Sequence, residues 1–169
     1  EAGVHPLLLA IGSERYTPYN PTKIPKELLT IAHHILGTGQ LSLAKYLLIV
    51  DDENAPDINN KKAFFKHLLE RVNWSRDLHF QTMTSMDTLD YSSKKLNEGS
   101  KVIIAAAGKL KRTLIQENPL LSLPDSFSNS FIVSDGILAI DGNGDIISLI
   151  DYLESVNLEN RDFSGYDLT

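Results

Sequence analysis

Cysteine is absent from this chain of 169 residues. Disulfides and thiolate metal sites are therefore excluded. Long apolar runs are absent too: nothing approaches the roughly 20 consecutive apolar residues that a membrane-spanning helix needs. No basic, then apolar, then small start resembles a signal peptide. Positive charge nearly vanishes from the last third. Residues 114–169 hold one Lys or Arg, Arg161, against 10 Asp or Glu, whereas residues 1–113 hold 15 against 12. That acidic end repels phosphates, so no nucleic-acid partner is expected. The bland reading of it is a solvated acidic surface. A cytoplasmic location is expected.

What is present fits a folded domain. Hydrophobic residues make up 42% and charged residues 22%, neither a disordered nor a membrane composition. A chain of this length buries a real core in one domain. The first residue is Glu rather than Met, so the chain is expected to be cut from something longer.

Pro6–Ile11 (PLLLAI) reads as a buried strand. Tyr16 to Lys23 carries Pro18 and Pro21 and reads as a loop. Thr22 or Lys23 leads into a helix with Pro25 in its first turn, where a missing N–H costs nothing. Leu28, Ile31, Ala32, Ile35 and Leu36 form one apolar stripe, and Gly37 ends the helix. Leu43–Val50 is a near-continuous apolar run, the mark of a central strand covered on both faces. Asn59 or Asn60 caps the next helix, whose buried face is Phe64, Phe65, Leu68, Leu69 and Val72. Leu78–Met83 and Val102–Ala107 read as strands. Pro119 and Pro124 mark an irregular stretch, Phe131–Ile140 alternates around Gly136, and Ile146–Val156 reads as a helix. The tail from Asn157 has weak signals. Strands alternating with helices predict an α/β fold, a three-layer sandwich with a mixed, largely parallel sheet.

Several motifs invite chemistry and fail on context. Asp51-Asp52 at a strand end resembles the paired acids of a phosphorylation receiver, but no later apolar strand ends in the required Asp. Asp51 to Asp57 has Pro56 and Lys62 where a calcium loop needs Gly and Glu. Asp141, Asn143 and Asp145 have ligand spacing, but Ile146 and Tyr152 stand where Gly and Glu belong; a turn is simpler. Gly37-Thr38-Gly39 follows a helix and precedes a strand, the wrong order for a dinucleotide loop. His33 and His34 are adjacent on a helix and point apart. No Gly-x-Ser-x-Gly elbow is present. No metal site is expected.

Three blocks remain. Gly39-Gln40-Leu41-Ser42-Leu43-Ala44-Lys45 runs into the apolar strand and Asp51-Asp52. Asn73-Trp74-Ser75-Arg76-Asp77-Leu78 joins a helix to a strand. Leu89-Asp90-Tyr91 leads to a Gly99-Ser100-Lys101 turn. In that order and spacing they resemble the C-terminal domain of the UbiD family of decarboxylases, over roughly residues 2–107.

The resemblance implies a fragment of an enzyme that releases CO2 from aromatic or α,β-unsaturated acids, in quinone biosynthesis on one reading. It implies prenylated FMN held with Mn2+ and K+, mainly by a preceding domain of the same chain that also carries the catalytic residues. No catalytic residue is therefore expected here, and the fragment alone is expected to be inactive and to bind no cofactor. One cofactor contact carries over: Lys101, matching a lysine that reaches the flavin phosphate. Lys45 matches a family position that allows a structural role. The implied partners are a second copy, as a dimer, and a flavin prenyltransferase that supplies the cofactor. Residues 1–169 are expected to be one domain, with 114–169 a divergent acidic extension. A non-catalytic assembly module is the alternative, and a receiver-like signalling domain the remote one.

Overall fold

The computed structural model describes residues 6–16, 23–119, 121–143 and 145–160. The chain divides into two compact units, Glu1–Lys111 and Arg112–Thr169.

The first unit is built on four strands, β1 (Leu7–Gly12), β2 (Tyr46–Asp51), β3 (Leu78–Ser85) and β4 (Glu98–Ala106). Their order across the sheet is β1-β2-β4-β3. The first three in that order are parallel, and β3 runs antiparallel along β4. Helix α1 (Glu27–Leu36) packs on one face and α2 (Lys61–Leu69) on the other. The predicted three-layer mixed sheet is thus the observed one. The inner strand β2 alternates its side chains between the layers. Leu47 and Ile49 join Leu28, Ala32 and Leu36 of α1, while Leu48 and Val50 join Phe64, Leu68 and Val72 on the α2 side. Two cores explain why β2 and β4 carry unbroken apolar runs rather than alternation.

Local chemistry sets the element ends. Asn60 caps α2, its side chain accepting from the N–H of Ala63 at 3.2 Å. Helix α1 begins at Glu27 behind its N-cap Lys26, so Pro25 precedes the helix and is not in its first turn, and the N-cap side chain makes no capping bond. A carboxylate from outside the helix, Glu14, accepts from the N–H of Leu28 at 2.8 Å.

Three expectations need correction. The strand expected from Leu43 begins at Tyr46, because Gly39–Leu43 forms a 3-10 turn. The hydroxyl of Ser42 closes that turn onto the carbonyl of Gly39 at 2.6 Å. Gly99-Ser100-Lys101 is not a turn but part of β4. The reversal falls at Asn97, which holds φ +59°. Gly99 serves close packing instead, since a Cβ there would come within 2.7 Å of Met86 Cγ. Helix α3 (Ile146–Asn160) runs through the start of the weak tail. The loop predicted at Tyr16 to Lys23 lies mostly outside the described residues, as does the tail beyond Asn160.

The second unit contains a hairpin of β5 (Phe127–Ser134) and β6 (Ile137–Gly142), followed by α3. Gly136 sits in its turn at φ +71°, and an added Cβ would meet Leu114 at 2.8 Å. Ile146, Ile147 and Ile150 of α3 are exposed. No helix among the described residues is long and apolar enough to cross a membrane.

Candidate functional site

The first unit places polar groups at both ends of its parallel strands. The amino end gathers two of the three sequence blocks. Lys45 precedes β2, and its ammonium pairs with Asp90 at 3.4 Å and donates to Ser92. The Ser92 hydroxyl and N–H hold the Asp90 carboxyl below its usual range, with Lys45 adding to the effect. Lys101 lies one residue before the strand pairing of Val102 with Tyr46. Its ammonium donates to the Ser42 carbonyl.

Lys101 lies in β4 and not in the turn expected at Gly99-Ser100-Lys101. It is 3% exposed, and burial lowers its pKa. No carboxylate pairs with it among the described residues. A buried ammonium with one carbonyl partner keeps unspent donors. Its chemistry suits an anion, although the Gly39–Leu43 turn covers it.

The third block lies at the other end of the sheet. Arg76 donates to both oxygens of Asp77, at 2.5 and 2.8 Å. Asp77 is buried and also accepts from the N–H of Asn73 at 2.9 Å. Its carbonyl takes the N–H of Ala105 at 3.1 Å. This pair anchors the entry into β3, a structural role.

The carboxyl end of β2 holds Asp51-Asp52. Asp51 is buried and accepts from the N–H of Glu14 and from Lys23, both at 3.2 Å. Asp52 pairs with Arg15 at 2.7 Å, and that bond lowers its pKa. Lys23 also pairs with Glu53. Each acid is met by a cation, and no group of three or more His, Cys, Asp or Glu able to hold a metal occurs among the described residues. Asp141 ends up in β6, and His33 meets Gln81 at 3.1 Å through its Nδ1.

Beside Asp51 opens a cleft of about 490 Å3, lined by Lys23, Glu53, His67, Arg71 and Lys109 among others. A second cleft of about 390 Å3 adjoins it and shares Lys23, Lys109 and Leu110. Lys101 lines neither. Sequence reasoning singled out none of the cleft's basic residues. His67 had one legible signal: it lies three residues after Phe64, at the edge of the buried face of α2. It is 7% exposed, and burial, with the charge of Arg71, pushes its pKa down to about 4. It is a neutral imidazole at pH 7.

The fold and its two polar ends define an α/β domain with no metal-ligand cluster among the described residues. Within that class the sequence is specific: residues 1–106 match the 3-octaprenyl-4-hydroxybenzoate carboxy-lyase C-terminal domain, and the chain belongs to that family. A protein of Chlamydia trachomatis is 42% identical over 124 residues, covering 73% of this chain and 20% of its own length. A 4-hydroxybenzoate decarboxylase subunit of Chlamydia pneumoniae is 40% identical over 114 residues, covering 68% and 18%. The chain thus spans about a fifth of the length of the curated relatives it matches. Among solved structures, the vanillic acid decarboxylase of Sedimentibacter hydroxybenzoicus in closed form has a TM-score of 0.46 at 23% identity, covering 60% of this chain and 21% of that one. The UbiD-class enzyme HmfF from Pelotomaculum thermopropionicum, in complex with FMN, has a TM-score of 0.45 at 21% identity, covering 54% and 19%.

Proposed function

We propose that this chain serves as the C-terminal part of a UbiD-class carboxy-lyase that removes CO2 from an aromatic or unsaturated acid. The family match over residues 1–106 carries this reading, and the relative named as a 4-hydroxybenzoate decarboxylase subunit supports it. On this reading the cofactor is prenylated FMN with Mn2+ and K+, held mainly by a preceding domain. The flavin supplies the electron sink for decarboxylation when bound. This chain supplies a lid and a cation. Lys101, a buried ammonium without a carboxylate partner among the described residues, reaches the flavin phosphate once the Gly39–Leu43 turn yields. Acid–base groups must lie within hydrogen-bond reach of the substrate. They belong to the preceding domain, so this chain alone is inactive.

The same reading makes the domain an oligomer contact, with a second copy as the partner. Phe80 and Met83 of the edge strand β3 are 68% and 76% exposed, the kind of apolar surface that association covers. Sedimentation of the chain at micromolar concentration should show a dimer; monomer alone counts against it.

The direct test is Lys101→Met in the intact parent enzyme. A charge-assisted hydrogen bond is worth roughly 1.5–3 kcal/mol, so flavin should bind about 10- to 150-fold more weakly. Full flavin occupancy and an unchanged dissociation constant would remove Lys101 from the cofactor site.

A further inference from the structure

The cleft at the carboxyl end of β2 sits where the chain leaves neighbouring parallel strands toward opposite faces of the sheet. After β1 it goes to α1, and after β2 to α2. Such a divergence opens a crevice between the two connections, the usual seat of ligands in open α/β sheets. Here the crevice is built rather than incidental. Gly108 follows β4 at φ +84°, and a Cβ there would come within 2.8 Å of the Lys23 carbonyl. The next residues are tied to the end of α2. Lys111 donates its N–H to the Glu70 carbonyl at 2.8 Å and its ammonium to the Arg71 carbonyl. Lys23, Lys109 and Arg71 are thereby held around one space.

The decisive observation is an unmade bond. The Nε2 of His67 is buried and has no hydrogen-bond partner, although the residue lines the cleft. A buried polar atom without a partner is rare and costly. The other polar groups of the cleft sort by whether they are already spent. Asp51 and Glu53 are both paired with Lys23. Arg71 spends Nη1 on the His67 carbonyl at 3.0 Å and on Glu70 at 3.3 Å. Its Nε and Nη2 make no hydrogen bond among the described residues. Lys109 is exposed and has no ion-pair partner among them. What remains unspent is therefore a set of donors: Nε and Nη2 of Arg71, the Lys109 ammonium, and the His67 ring N–H in the tautomer that carries its proton on Nε2. A donor set with a guanidinium fork and an ammonium suits an oxyanion. The helix-end carbonyls of α2 oppose an anion weakly, but Lys111 and Arg71 already occupy three of them.

We infer that this cleft binds a phosphate-bearing small molecule, whose phosphate is held by His67 Nε2, Arg71 and Lys109. The space of about 490 Å3 exceeds a phosphate alone, so the rest of the molecule lies toward Asp51 and Glu53, whose oxygens accept from its hydroxyls. The site is at the opposite end of the sheet from Lys101. It does not depend on the decarboxylase reading, because phosphate binding and flavin occupancy are separate measurements.

The test uses inorganic phosphate as the probe, titrated into the 169-residue chain at constant ionic strength set with chloride. Calorimetry and the imidazole NMR signals are followed together. Saturable binding at millimolar phosphate is expected, with a selective shift of the His67 signals. Lys109→Ala and Arg71→Gln should each weaken binding at least about tenfold, the effect of one charge-assisted bond. Lys109 is exposed, so its variant keeps the fold and the test stands even if Arg71→Gln melts early. Absence of saturation, or binding that Lys109→Ala leaves unchanged, overturns the inference. Acetate binding as tightly as phosphate overturns the phosphate assignment.

Discussion

Glu14, just past the end of β1, accepts a hydrogen bond from the backbone N–H of Leu28 at 2.8 Å. A residue 14 positions away thus does what an N-cap side chain does for most helices. Glu14→Ala should lower stability by about 0.5–2 kcal/mol, the range for a lost cap, measured by denaturant titration. Burial raises the Glu14 pKa, opposed by the Leu28 N–H bond. A carboxyl raised in this way binds its proton more readily folded than unfolded. Its burial penalty is present above the folded pKa and is relieved as pH falls toward 4.5. Glu14→Gln should therefore cost least near pH 7 and more at lower pH. A Glu14→Ala variant as stable as the wild type would show that water replaces the cap.

His67 gives a pH dependence of opposite sense. Its pKa moves from 6.5 to about 4 on folding. Between those values the unfolded chain takes a proton that the folded chain refuses, so stability falls as pH drops. The contribution is fully present above 6.5. The loss is on the order of 2 kcal/mol by pH 5 and roughly 3 kcal/mol at most. Denaturant titrations at pH 7.5 and pH 5 should show it in the wild type and much less of it in His67→Leu. Equal pH sensitivity in both proteins would exclude His67 as the source.

Gly108→Ala should be among the most damaging single changes in the first unit. Its φ of +84° strains any side chain, and the added methyl meets the Lys23 carbonyl at 2.8 Å. A strained backbone position costs on the order of 1–3 kcal/mol. The melting temperature should drop by several degrees, and Gly39→Ala, with nothing within 4 Å of its Cβ, should cost less.

Lys101→Met should be tolerated, although the lysine is buried. An exposed turn lysine contributes little to stability. A buried ammonium is instead penalised by desolvation, and apolar replacement of a buried charge is often neutral or stabilising. Because burial lowers the Lys101 pKa, the folded chain loses this proton before the unfolded one. Wild-type stability should therefore rise relative to Lys101→Met as pH climbs toward 10.5. Lys101→Ala, which also leaves a void, should be clearly less stable than Lys101→Met. If Met and Ala behave alike, packing around the lysine stem is unimportant.

The layered fold was legible because its signals are local. The stripe from Leu28 to Leu36 and the run from Leu47 to Val50 point to the buried faces they occupy. Asn60 announced its helix. The errors lie where a single hydrogen bond or a residue farther along the chain decides. Leu43 opens an apolar run on paper, yet it ends the Gly39–Leu43 turn that the Ser42 hydroxyl closes. Gly99 looked like a turn residue until Met86 supplied a reason for lacking a side chain. Lys101 was singled out by its motif, but its burial depends on a segment 59 residues earlier. The cleft was invisible in sequence, because Lys23, the His67 and Arg71 pair at the end of α2, and Lys109 come from three separate stretches of chain and none belongs to a motif.

The sheet order also dictates when the domain can form during synthesis. β3 emerges from the ribosome before β4, yet β4 must insert between β2 and β3. Until Ala106 has emerged, β2 has one bare edge and β3 has no neighbour at all. Bare strand edges invite pairing with other chains, and long-range parallel pairing is slow to form. A ribosome stalled within β4 would hold out an incomplete sheet with the Leu48 and Val50 side open at one margin.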